Sequence, residues 1–314
     1  MYVYAFIWVG VFFLLAPLAL GLVHTLRARV LARRGPRVWQ PYLDAWKLLH
    51  KGVVIPRGAT MLYVVGPIVA FTCSLLLGYL IPIPLLLTRR SLQGALFLGA
   101  DVVMAVYLLG LARFIMALAV WDVGAPFGAL GSSRQFFFQA LAEPTFLIAL
   151  YTLTTAYRTS NILLFTQVHR PWSFSVALLI ALFALIIVFL AEGGRLPFDS
   201  PDTHLELTMV EGGPALSYSG PLWLLLEWGT AMRLFFFLLF LAYMTVISLR
   251  IEGGYAAAGA LVLVFLFFVV ALSVGETYVG KLRLRRVVAP FAMALILAII
   301  SLLIMAVLVN TLTG

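Results

Sequence analysis

One cysteine, four histidines and 11% charged side chains give this 314-residue chain little with which to hold a metal or face water. A lone Cys73 can form neither an internal disulfide nor a cysteine cage; inside an apolar run, it reads as a small packing residue. No iron–sulfur, haem or zinc ligand spacing occurs, so any redox chemistry is expected to belong to partner chains. Soluble domains carry about a quarter charged residues. Here 64% of residues are hydrophobic and the mean hydropathy is +1.10. No segment is both long and polar enough to make a separate soluble domain, which excludes an ordinary soluble enzyme and makes the bilayer the expected solvent. Lipid admits only helices or closed barrels. The apolar runs are continuous rather than alternating, which excludes the barrel.

What is present is a repeated run of about 20 apolar residues, the length a spanning helix needs. The expectation is an all-α integral membrane protein, one membrane domain over residues 1–314. Eight transmembrane helices are predicted near 3–23, 59–81, 95–119, 136–157, 173–191, 222–248, 256–275 and 288–310. The first lacks a basic n-region and is followed by a basic stretch, so it reads as a retained helix rather than a cleaved signal.

Lys and Arg set the orientation through the positive-inside rule. With the N-terminus outside, 14 of the 21 cations fall in inner loops and five in outer loops, although Arg89 and Arg90 run against the trend. Both termini are then outside a plasma membrane, with a basic loop at 24–58 and an acidic loop at 192–221 inside. The net charge of +9 reads as basic loops facing anionic headgroups, not as nucleic-acid binding. Within the basic loop, Trp39, Tyr42, Leu43, Trp46 and Leu49 recur at helical spacing, which suits an amphipathic helix on the inner leaflet. A plain polar connector with two stray tryptophans is the alternative.

Ionisable groups inside spans cost about 2.5–3.5 kcal/mol each on insertion scales and are functional candidates by default. Asp101, Arg113, Glu143, Glu192, Glu227, Arg233 and Glu276 qualify. A set of buried carboxylates can exchange protons, because burial raises their pKa values and neighbouring arginines lower them. Taken singly, each has a structural reading too: an acid satisfied by a neighbouring helix, or, for Glu276, a place in the interface. Glu192 and Arg195 are three apart and could pair if the helix continued. Glu227 and Arg233 are six apart, so each needs a partner from another helix.

The strongest concentration is AEGGRLPFDSPDTHLELTMVEGG, residues 191–213, with five of the twelve carboxylates: Glu192, Asp199, Asp202, Glu206 and Glu211. Pro197 and Pro201 cannot extend a regular helix, so LPFDSPD is expected to be an extended, ordered turn. Asp202 or Thr203 would then cap a short helix, HLELTMVE, placing His204 and Glu211 on one face.

AEGGRLPFD, the helix carrying Glu206, and YSG at 218–220 resemble the membrane subunit that docks the peripheral redox arm of complex I, the H subunit, and its equivalents in membrane-bound hydrogenases. DSPDTHLELTMV with the following YSGP and LLEW is closer to the energy-converting hydrogenase branch. RRGPRVWQPYLDAWKLLHK (33–51), LARFIMALAVWDVGAPFGALGSSRQ (111–135), LAEP (141–144) and KLRLRRV (281–287) extend the resemblance over nearly the whole chain.

The resemblance implies a non-catalytic subunit that anchors a redox arm of group 4 [NiFe]-hydrogenase type and couples its electron transfer to proton translocation. The alternatives it leaves open are a quinone-site H subunit of complex I proper and a related complex without hydrogenase activity. It assigns Glu143, Glu192, Glu206, Glu211, Glu227, Asp199 and Arg195 to a proton path. Arg33, Arg34, Asp122, Arg134, Asp202 and His204 fall to the arm interface, with Asp122 and Arg134 in the inner loop after the third span. No cofactor is implied in this chain. Partner subunits would carry an iron–sulfur cluster and, in the hydrogenase branch, a NiFe centre; other implied partners are peripheral hydrogenase-like large and small subunits and antiporter-like membrane subunits. The chain departs from the family pattern at Glu211-Gly212, where relatives carry His-Glu, and at Ser217, where they carry Glu. Gly212-Gly213-Pro214 also replaces helix-compatible residues.

Overall fold

The computed structural model describes residues 2–81, 101–166, 174–199, 209–249 and 254–313. Among them the architecture is all helical. α1 covers Tyr2–Val30, α2 Gln40–Leu49, α3 Met61–Leu80, α4 Val102–Val123 and α5 Pro126–Tyr157. After a 3₁₀ turn at Ile162–Thr166 come α6 (Phe174–Glu192), the single turn α7 (Gly212–Ala215), α8 (Gly220–Ser248), α9 (Gly254–Tyr278) and α10 (Leu284–Thr313). No strand occurs among the described residues, only one isolated bridge between Asp101 and Asn161. Eight of these helices are long and apolar enough to cross a membrane, as expected.

Local chemistry sets several boundaries. Asp101 is the N-cap of α4, its carboxylate accepting from Val103 N at 2.9 Å, so this acid closes a helix end rather than sitting bare in a span. The expected third span, 95–119, is shifted accordingly: α4 begins at Val102, and residues 95–100 lie outside the described residues. Gly124 stops α4 in the left-handed conformation (φ 69°), where glycine carries no Cβ penalty. Pro126 then opens α5, where its missing N–H is an orphan anyway. α5 thus starts ten residues before the expected 136, which places Arg134 on a helix and Asp122 in the last turn of α4, not in a loop between spans. The helix absorbs Arg134 because the side chain reaches Met209 O at 3.2 Å.

Packing places α8 at the centre: 78% of its span is buried, against 17% for α9 and 22% for α10, which flank the bundle. Phenylalanine supplies much of the contact, with Phe189 of α6 stacked on Phe237 of α8 at 4.5 Å and edge-on to Phe146 of α5 at 5.4 Å. Small residues let α3 approach α4, since a Cβ on Gly66 would sit 2.6 Å from Ala119 Cβ. With no hydrophobic drive between helices in lipid, such close contact is a main source of association.

Candidate functional site

α6 ends at the acidic stretch in a Schellman motif. Arg195 N donates to Leu190 O at 2.8 Å and Gly194 N to Ala191 O at 3.2 Å, with Gly194 at φ 59°. That 6→1 and 5→2 pattern satisfies two terminal carbonyls and reverses the chain. Glu192, in the last turn, is a carboxylate at the negative end of a helix dipole, an unfavourable place. Arg113 of α4 offsets this. Its Nη1 lies 2.7 Å from Glu192 Oε1, and its Nη2 donates to the Glu192 carbonyl at 2.8 Å, with both residues buried. The second carboxylate oxygen, Oε2, is buried without a hydrogen-bond partner among the described residues.

The expected Glu192–Arg195 pair therefore does not form, because the helix stops between the two residues. Arg195 turns instead to Glu276 at the end of α9 (3.2 Å), which also lies 3.7 Å from Arg27 of α1. Glu276 is buried within the bundle. The following residues form a compact turn rather than an extended one: Arg195 O accepts from Phe198 N at 2.9 Å and Asp199 N at 3.1 Å, and Leu196–Pro197 is cis. Asp199 then joins three segments. Lys281 Nζ lies 2.6 Å from Oδ1, while Oδ2 accepts from Val210 N at 3.0 Å and Glu211 N at 2.8 Å. Those bonds explain why Met209–Glu211 is not the end of a helix, as HLELTMVE had suggested. Residues 200–208, with Asp202, His204 and Glu206, lie outside the described residues.

Glu211 completes the arrangement. It pairs with Arg233 of α8 and accepts from Gln135 Nε2 at 3.2 Å. Arg233 thus takes its partner from another element, as its spacing from Glu227 required. Burial alone would raise the Glu211 carboxyl; the Arg233 and Arg113 guanidinium groups outweigh it and hold it below the usual carboxylate range. Gly212-Gly213-Pro214 does not interrupt the structure but makes the one-turn α7. A Cβ on Gly213 would sit 3.0 Å from Gly131 Cα, so a glycine pair lets α7 lie against α5 and brings Glu211 over Arg233.

These groups close around a cavity of about 270 Å³. Its lining includes the polar Arg113, Gln135, Arg195, Asp199, Glu211 and Arg233 and the apolar Leu20, Phe71, Trp223 and Leu226. Glu227 lines it too but is exposed on α8 rather than buried. Glu143, half-buried on α5, is bonded to Gln139 and lies over Gly110, one turn before Arg113. Arg113 is in electrostatic reach of Glu192, Glu211 and Glu143. The resemblance gives Arg113 no role, although an arginine in mid-span needs acidic or carbonyl partners.

The interface candidates are dispersed. Asp122 accepts from Thr60 N and Thr60 Oγ1, both at 2.8 Å, which ties α4 to the cap of α3. Arg33 and Arg34 are exposed after α1 and do not line the cavity. Among the described residues no group of three or more His, Cys, Asp or Glu could hold a metal ion.

A family model described as NADH dehydrogenase matches residues 3–308. Formate hydrogenlyase subunit 4 of Escherichia coli (strain K12) is 33% identical over 232 residues, 73% of either chain. Hydrogenase-4 component C of the same organism is 31% identical over 221 residues, 70% of this chain and 67% of that one. The H subunit of the NADH-quinone oxidoreductase of Rickettsia typhi (strain ATCC VR-144 / Wilmington) is 29% identical over 184 residues, 56% of this chain and 52% of its own length. A solved chain from the membrane-bound sulfane sulfur reductase, an archaeal respiratory membrane complex, superposes with a TM-score of 0.79 over 97% of this chain and 99% of that one. At 20% identity that likeness concerns the fold.

Proposed function

The chain belongs to the NADH dehydrogenase family, that of the complex I H subunit, and from that premise we propose that it anchors a peripheral redox arm and couples its electron transfer to proton movement. The relatives named for hydrogenase-4 and formate hydrogenlyase favour a group 4 [NiFe]-hydrogenase-type complex. Antiporter-like membrane subunits would then receive the protons, and the partner subunits would hold the iron–sulfur and nickel–iron centres.

The observation that carries this reading is a set of four ion pairs, each with at least one member lining the cavity: Arg113 with Glu192, Arg195 with Glu276, Asp199 with Lys281, and Glu211 with Arg233. Each pair joins different elements, so displacing part of the acidic stretch re-pairs charges on several helices. In this mechanism a change in the docked arm moves the stretch and weakens a carboxylate's hold on its arginine. That carboxylate takes a proton, because a desolvated acid without its cation favours the neutral form. Glu192 suits the role: one oxygen faces Arg113, while the other is unengaged within the described residues. Glu143 lies beyond Arg113 on the side of α5, and Glu206 and Glu227 complete the proposed path.

Reconstituted vesicles test the reading. Glu192→Gln keeps the shape of the side chain but removes its proton site. Redox turnover with proton translocation abolished is the expected result; translocation at the parental rate would remove Glu192 from the path. A second reading rests on the apolar lining of the cavity and on the relatives from NADH-quinone oxidoreductase: a site for a quinone-like headgroup. Quinone-dependent turnover by the purified complex would favour it, and hydrogen production or consumption without quinone the first.

A further inference from the structure

After Val30 the chain folds back along α1 instead of running straight to α3. Thr25 Oγ1 lies 2.8 Å from Gly21 O and 3.0 Å from Pro36 O. The Val38 carbonyl rests on Gly21, where any Cβ would collide with it. Tyr42, on α2, donates to the Leu14 carbonyl, and its ring meets Trp228 edge-on at 5.7 Å. Trp228 itself donates to Phe13 O at 3.1 Å. Leu14 stands 16 residues back from the end of α1 at Val30, about 24 Å of helical rise. α2 is therefore held beside the membrane-spanning part of α1, next to Leu14, Leu15 and Leu18, which are exposed on the bundle surface.

The outer face of α2 is apolar and aromatic. Trp39, Leu43 and Trp46 are 56%, 45% and 66% exposed, and their i, i+4, i+7 spacing makes one stripe. Cations frame it. Arg33, Arg34 and Arg37 are exposed immediately before the helix, and Lys47 is exposed upon it. Asp44, the one acid on α2, is taken up by Gln40 at 3.0 Å and Lys47 at 3.7 Å. Aromatic rings at membrane depth, beside a block of arginines that meet no acid among the described residues, complement an acyl chain joined to a phosphate.

We propose that α2 and the Arg33–Arg37 segment form a binding surface for an anionic phospholipid of the bilayer. Arg33, Arg34 and Arg37 hold the phosphate, and Trp39, Leu43 and Trp46 carry an acyl chain. Depth favours lipid over a protein occupant, because the stripe lies alongside the apolar, membrane-length part of α1 whose Leu14, Leu15 and Leu18 are exposed on the bundle surface. The inference needs the membrane placement of α1 and α2 but not the proton path, so the two stand or fall separately.

The test uses the whole complex reconstituted in phosphatidylcholine vesicles. A small fraction of brominated phosphatidylglycerol or brominated phosphatidylcholine is included, and tryptophan quenching is read. A Trp39→Phe/Trp46→Phe variant isolates the contribution of those two rings. The expected result is that the anionic brominated lipid quenches Trp39 and Trp46 at mole fractions where the zwitterionic one does not. Arg33→Gln/Arg34→Gln/Arg37→Gln should reduce that preference on the order of a hundredfold, from the usual worth of three interfacial cations. High salt should weaken it in the parent protein, a readout that survives even if the triple variant fails to assemble. Equal quenching by the two lipids overturns the proposal, as does a preference insensitive to both salt and the arginines. Absence of quenching by either lipid also overturns it, since a protein would then cover the face.

Discussion

The Arg113–Glu192 pair makes the sharpest energetic prediction, because both groups are buried and each has one dominant ionic partner on the other's helix. Removing either one strands a charge. Arg113→Met leaves the Glu192 carboxylate facing apolar surroundings at the negative end of α6. Glu192→Met leaves a guanidinium hydrogen-bonded to the α6 carbonyl at 2.8 Å, with Glu211 and Glu143 in electrostatic reach but not in contact. Breaking a buried pair from one side costs about 3–5 kcal/mol. The double variant Arg113→Met/Glu192→Met strands neither charge. Its main loss is the charged bond to the α6 carbonyl, about 1.5–3 kcal/mol. The double variant should therefore be more stable than either single one. Glu211 does not upset the comparison, since it keeps Arg233 and Gln135 in all three variants. Cys73 supplies the assay: it is free and buried, so its labelling by a thiol reagent during denaturation, read by mass spectrometry of this chain, reports opening of the bundle. A double variant less stable than both singles would refute the argument, because the pair would then stabilise by more than mutual neutralisation.

Three further perturbations probe the same frame. Glu211 has its carboxyl held below the usual range by Arg233 and Arg113 after burial is overcome. Its stabilising contribution is thus present above the unfolded carboxylate value and is lost as pH falls through the lower folded one; Glu211→Gln should flatten the acid limb of a stability–pH profile measured by Cys73 labelling. Gly194→Ala puts a Cβ at φ 59° and 2.8 Å from Glu211 Cβ, so a loss of about 1–3 kcal/mol is expected from the left-handed backbone alone, seen in the same labelling. Glu276→Gln removes the carboxylate charge that faces both Arg195 and Arg27; stability should fall, and the exchange Arg195→Glu/Glu276→Arg should restore part of it, whereas a double variant as poor as the sum of its singles would show that the two residues do not interact.

Much of the framework was readable because lipid punishes ambiguity. Eight apolar runs could only be helices, and seven intramembrane charges had to be accounted for. Which charge meets which was not readable, because pairing depends on where helices stop. Glu192 and Arg195 look like partners on a continuous helix, yet Gly194 accepts the left-handed conformation that turns them to Arg113 and Glu276. Asp101 looks like a buried acid until α4 starts one residue after it. Arg134 looks like a loop cation because its apolar context begins later, but a helix end can carry one arginine when a carbonyl such as Met209 O is in reach.

Gly212-Gly213-Pro214 carries the same lesson furthest. Helix propensity counts against it, but propensity is a weak prior that tertiary contact overrides. Here the contact needs the absence of side chains. Gly213 and Gly131 meet backbone to backbone, and a larger residue at either position would push α7 off α5. Pro214 takes the third position of α7, within the first turn, where no intrahelical N–H bond is forgone. Glu211, immediately before α7, is positioned as a result: Asp199 fixes its backbone, and Arg233 and Gln135 fix its carboxylate. Gly212-Gly213-Pro214 is therefore not a break in the site. It is the support that holds one of its carboxylates against α8.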